Sequence, residues 1–87
     1  MDESLEPLGF SEAELAEARR YSMHIAWSPE DDAYLVSVPE IPGLRTHGAT
    51  HAEAVEMGEE VIATWLAGMR SEGRPVPLPQ FALAAVG

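Results

Sequence analysis

Between Val38 and Thr50 the spacing of apolar residues changes from two to three and four, and few folds accommodate that change in a chain of 87 residues. Before it, Tyr21, Met23, Ile25 and Trp27 alternate with Ser22, His24, Ala26 and Ser28, the period of a half-buried strand. "AYLVSV", Ala33 to Val38, repeats the pattern with Tyr34, Val36 and Val38 on one face. The two runs are joined by "PEDD", Pro29 to Asp32, which has the composition of a turn and carboxylates able to bond nearby amides. An antiparallel hairpin is therefore predicted.

After the change, Ala54, Gly58, Val61, Ile62, Trp65 and Met69 recur at helical spacing, with Val55 and Leu66 widening the stripe. Thr50 and Glu53 stand at the positions of a capping box, and Gly73 followed by Pro75 and Pro77 marks the stop. A helix of about six turns is predicted, with Glu53, Glu56 and Glu60 on its outer face and Glu59 nearby.

The corner between the two patterns is built from Pro39, Pro42 and Gly43. Proline has no amide hydrogen and fixes φ at about −65°, so Pro39 ends the hairpin ladder, and Pro42 with Gly43 suits a turn in which the glycine takes positive φ. Pro39, Pro42 and Gly43 are read as structural. Leu44 to Ala49 then forms a short third strand, with Leu44 and Thr46 on one side and Arg45 and His47 on the other.

The flanks are plainer. Met1 to Phe10 reads as a loose lead-in, and "SEAELAEARR" as a short helix capped by Ser11 and Glu14. Its apolar residues are mostly alanine, so it is expected as a satellite or an arm packing on a neighbour. The tail "PVPLPQFALAAVG" alternates Phe81, Leu83 and Ala85, which predicts a last strand. The fold class is α+β: an antiparallel sheet of three to four strands under one long helix, in the order β-β-β-α-β, with a short N-terminal helix. Residues 1–20 are lead-in and helix, and 21–87 are one domain.

A domain this small buries only about 60 to 65% of the surface its unfolded chain exposes, and such domains often gain from self-association. Fifteen acids against five basic residues give a net charge of −10, which repels phosphate backbones and favours a basic partner. The absence of cysteine removes disulfides and thiolate zinc sites. The acidic first residues have no signal-peptide pattern and no apolar run reaches the ~18 residues of a membrane span, so a cytoplasmic location is expected.

Few residues suggest chemistry. His24, His47 and His51 lack metal-site spacing, and the serines lack a nucleophile-elbow pattern. Glu30, Asp31 and Asp32 are adjacent acids, unlike the alternate ligands of a calcium loop. No metal and no cofactor are expected. The candidates for partner contact are Glu30, Asp31, Asp32, Glu53, Glu56, Glu59 and Glu60, whose charge would speed association with a basic protein.

In this order, "PEDDAYLV", "VPEIPGL", "HGATHAEAVE" and "EGRPVPLP" resemble the HicB antitoxin family over Tyr21 to Pro79. The resemblance implies a partial RNase H-like fold, usually dimeric or higher, and a role in silencing a small basic mRNA-cleaving toxin of the HicA type. It also carries two departures. The family's usual "PGC" is here Pro42, Gly43 and Leu44, which discards the thiol, and only about eight residues follow Pro79 where many members append a DNA-binding domain. Direct nucleic acid binding is therefore not expected. The rival readings are a residual metal-dependent ribonuclease using Asp31, Asp32, Glu53 or the histidines, and a solitary oligomeric module without a toxin. A two-metal nuclease needs carboxylates on central strands, and Tyr21 to Ser28 has none.

Overall fold

The computed structural model of the chain describes residues 9–80. Strands β1 (His24–Ser28), β2 (Ala33–Ser37) and β3 (Arg45–Gly48) form one antiparallel sheet in that order. Helix α2 (His51–Ser71) crosses one face of it, and helix α1 (Glu12–Ala18) packs on α2. This is the α+β arrangement expected from the sequence. The fourth strand predicted at Phe81, Leu83 and Ala85 lies outside the described residues, as does most of the lead-in.

Register decides which side chains meet the helix. The rows Ile25–Val36–Thr46 and Trp27–Tyr34–Gly48 face α2, and the rows His24–Ser37–Arg45 and Ala26–Leu35–His47 face away. Val36 is fully buried, and Met23 and Val36 press against the backbone of Gly58 on α2. Gly48 lies so close to the first turn of α2 that a Cβ there would sit 2.7 Å from the Ala54 Cα and 2.8 Å from the Glu53 carbonyl carbon.

The corner is two consecutive β-turns. The Ile41 amide donates to the Val38 carbonyl and the Leu44 amide to the Ile41 carbonyl, each at 3.0 Å. A proline, Pro39 or Pro42, occupies the second position of each turn, and Gly43 takes φ +91° at the third position of the second, the pattern of a type II turn. Between the turns Ile41 plugs into the core, a burial that a turn sequence does not announce.

The helix N-termini are closed by side chains. At α1, Ser11 accepts from the Glu14 amide at 3.2 Å while Glu14 accepts from the Ser11 amide at 2.8 Å, a complete capping box. At α2, Thr50 accepts from the Glu53 amide at 3.0 Å, but the Glu53 carboxylate reaches past Thr50 to the Ala49 amide. The helix stops at Ser71, with the Gly73 amide bonded to the Arg70 carbonyl and the Arg74 amide to the Met69 carbonyl, a Schellman closure.

Several expectations need correction. α1 is neither satellite nor arm: Ala18 is buried without residual exposure, and Arg19 and Glu17 pair with Glu59 and Arg70 of α2. Alanine is what permits that close approach. Because α1 covers one flank of α2, the buried arc rotates to Ala54, Gly58, Ile62, Ala63 and Leu66, while Val61, Trp65 and Met69 are only half-buried. Strand β1 begins at His24 rather than Tyr21. Tyr21 is nonetheless core, at 5% exposure, with its hydroxyl donating to the Pro77 carbonyl. Trp27, expected in the core by alternation, is 48% exposed, since it lies on the edge strand β1 whereas α2 packs on β3 and β2.

Candidate functional site

The sheet register brings two acidic segments to one end of the molecule. Ser28 pairs with Ala33 and Tyr34 with Gly48, so the hairpin tip Pro29 to Asp32 lies where β3 passes into α2. The Tyr34 ring confirms the closeness, standing edge-on at 5.0 Å from His51 at the start of α2 and at 5.0 Å from Trp27. Glu30, Asp31 and Asp32 therefore share this end with Glu53 and Glu56.

Within the tip, the hydroxyl of Ser28 organises the turn. It donates to the Asp31 carboxylate at 2.9 Å and accepts from the Asp31 amide at 3.3 Å. Asp31 is thus drawn toward the strands, beside Leu35 and His47 on the sheet's outer face. The carboxylates expected to bond turn amides do not do so; the serine replaces them. Glu30 and Asp32 are exposed, and Asp32 occupies the left-handed region at φ 52°.

The helical acids also divide. Glu53 and Glu56 are exposed, and Glu60 borders a shallow groove with Thr46, Met57, Val61 and Thr64. Glu59 points the other way and meets Arg19 at 3.1 Å. Of the seven acids, Glu30, Asp32, Glu53 and Glu56 thus share the hairpin end, Glu60 stands further along α2, and Asp31 and Glu59 are engaged elsewhere.

The strongly held ionisable groups lie away from that surface. Glu40, in the corner, is bonded by the Ser22 amide at 3.1 Å, the Ser22 hydroxyl at 2.9 Å and the Gln80 amide at 2.8 Å. Burial alone would raise its pKa, but the amides of Gln80 and of Glu40 itself, with the Ser22 hydroxyl and amide, outweigh it and hold the carboxyl low. Glu17 is held low by its two hydrogen bonds from Arg70, against a smaller desolvation effect. Burial, followed by Glu17, pushes the Tyr21 hydroxyl up.

Among the described residues no group of three or more histidines and acids is placed to hold a metal ion. His24 and His47 face away from α2 while His51 stands edge-on to Tyr34 on the helix side. The three strands, "HIAWS", "AYLVS" and "RTHG", carry no carboxylate at all. No helix among the described residues is long and apolar enough to cross a membrane. Sequence reading missed Trp27 as a surface residue and Glu40 as a clamp. The first depends on which strands α2 covers, and nothing local in "VPEIPG" marks the second.

The described residues thus make a small α+β domain with capped helices and a packed helix pair. A model of the HicB-like antitoxins of bacterial toxin–antitoxin systems matches residues 21–86, and the chain belongs to that family. No curated protein and no solved structure matched the chain.

Proposed function

We propose that this protein is a non-enzymatic antitoxin of the cytoplasm, whose acidic end covers the RNA-binding surface of a small basic ribonuclease toxin of the HicA type. The observation that carries this reading is the placement of Glu30 and Asp32 in the hairpin tip and of Glu53 and Glu56 in the first turns of α2 at the same end of the sheet, in a family of antitoxins. Carboxylates so placed compete with phosphates for the same arginines and lysines, steering the partner in and denying it RNA. Trp27, half exposed beside the tip, adds an aromatic side chain of the kind that anchors interfaces. The partial RNase H-like scaffold then serves as a platform, with no nucleic acid bound directly and with copies of the chain assembling as dimer or tetramer.

The test is titration of the chain into the purified toxin acting on labelled RNA. Cleavage should cease near one toxin per antitoxin site. Reversing Glu30, Asp32 and Glu56 to lysine together should weaken inhibition by at least about tenfold, and raised salt should slow association of the unaltered pair. Undiminished inhibition by the triple variant would move the contact elsewhere. RNA cleavage by the chain alone, with magnesium or manganese, would replace this reading with the ribonuclease one.

A further inference from the structure

The face of the sheet turned away from α2 is polarised along its strands. At the corner end, register places His24, Ser37 and Arg45 side by side across all three strands. They offer an imidazole, a hydroxyl and a guanidinium, and no carboxylate stands in the row. The next row toward the hairpin is Ala26, Leu35 and His47, with Leu35 on the central strand 41% exposed. Beyond it, at the hairpin end, Asp31 borders a groove with Leu35 and His47. A solvated sheet face ordinarily turns polar residues outward, so an exposed leucine set between a row of donors and an acid has the anatomy of a small recognition site.

We infer that this face docks an extended segment of another protein, with an apolar residue on Leu35 and, two residues away, an aspartate or glutamate on the row of His24, Ser37 and Arg45. Spacing sets that pattern. Alternate residues of a strand lie on one face about 6.6 to 6.8 Å apart, which is also the separation of the two rows, so an extended partner lying along β2 presents its side chains at the same interval. Two places from the apolar residue in the other direction, a basic side chain comes over Asp31. The shallow groove beside Leu35, bounded by His24 and Arg45, measures about 270 Å³. That is below the ~300 to 1,000 Å³ of ligand pockets and suits a pair of side chains better than an enclosed small molecule.

Charge disfavours other occupants. A basic protein surface would meet Arg45, and a nucleic acid would meet a chain of net charge −10. A segment with one acid and one base is neutral as a whole, so it responds to the local order of charge and not to the net charge of the chain. Glu30 and Asp32 take no part, and the inference stands whether or not a toxin binds the acidic end.

So few side chains give an affinity near the millimolar end of the scale, which calls for residue-resolved detection. A short peptide with lysine, leucine and glutamate at alternate positions among glycines and serines is titrated to about 5 mM into the isotope-labelled full chain, and amide chemical shifts are followed by NMR. Shifts should move and saturate at Ala26, Leu35, Ser37 and Arg45, with α1 unmoved. Serine in place of the peptide's leucine should weaken binding about tenfold, and lysine in place of its glutamate about fivefold. Arg45→Glu should reverse the second preference, taking the lysine peptide over the glutamate one, with thermal melts confirming that the variant folds. Shifts that appear only elsewhere, equal affinity for the glutamate and lysine peptides, or an Arg45→Glu variant with the preference unaltered would overturn the inference. So would outer-face amides that move with the chain's own concentration and ignore the peptide, since a second copy would then hold the face.

Discussion

Gly43 and Gly48 hold their positions for opposite reasons, and the difference can be measured. At Gly43 a Cβ would meet nothing within 4 Å, so only the backbone at φ +91° resists a side chain. Gly43→Val should cost about 1 to 2 kcal/mol, the strain of a β-branched residue in that region. At Gly48 the obstacle is the backbone of Ala54 and Glu53, which cannot yield without moving α2. Gly48→Ala should cost at least about 2 kcal/mol despite its smaller side chain. Asp32 presents the converse, a non-glycine residue at φ 52°, so Asp32→Gly should gain up to about 1 kcal/mol. Urea midpoints of the three variants check these values together.

At the scale of elements, pH reads how the segments are tied. Glu40 joins the start of β1, the corner and the tail through Ser22 and Gln80, and Glu17 joins α1 to α2 through Arg70. Both carboxyls are more acidic folded than unfolded, so the stability they contribute is complete above the ordinary value of 4.5 and is lost as pH falls below it through their folded values. Urea midpoints should hold steady between about pH 7 and 5 and fall steeply below. Glu40→Gln should be the less stable protein at neutral pH, and its curve should converge on the wild type in acid. Arg70→Met should leave the urea midpoint nearly unchanged, because the pair is half exposed and screened by solvent, whereas Ala18→Leu should cost about 1 to 3 kcal/mol by forcing the helices apart.

These elements were legible to different depths in the sequence. The hairpin, the corner and α2 follow from alternation, proline chemistry and a capped helical stripe, each a signal within a dozen residues. What was not legible depends on contacts distant in sequence. Ala63 becomes core because α1 covers that flank, and Glu59 leaves the acidic face because Arg19 is there to meet it. Trp27 continues the inner-face alternation faithfully yet emerges half exposed, since period alone does not say where a helix stops covering a sheet.

For the whole molecule, charge is the organising quantity. Net charge −10 is distributed so that the hairpin end and the outer stripe of α2 are acidic, while the outer sheet face carries Arg45, His24 and His47 around Leu35. The candidate site was legible as a list of acids and illegible as a surface, because only register brings Glu30 and Asp32 to the same end as Glu53 and Glu56. Trp27→Ala should weaken toxin binding at least about fivefold while leaving the melting temperature nearly unchanged, a separation expected of an exposed anchor and not of a core residue. The decisive measurement is the activity of the proposed ribonuclease toxin as this chain is titrated in at low and high salt. The account predicts silencing near one-to-one stoichiometry, with association slowed by salt and by lysine at Glu30, Asp32 and Glu56. Toxin activity that persists at excess antitoxin would contradict it.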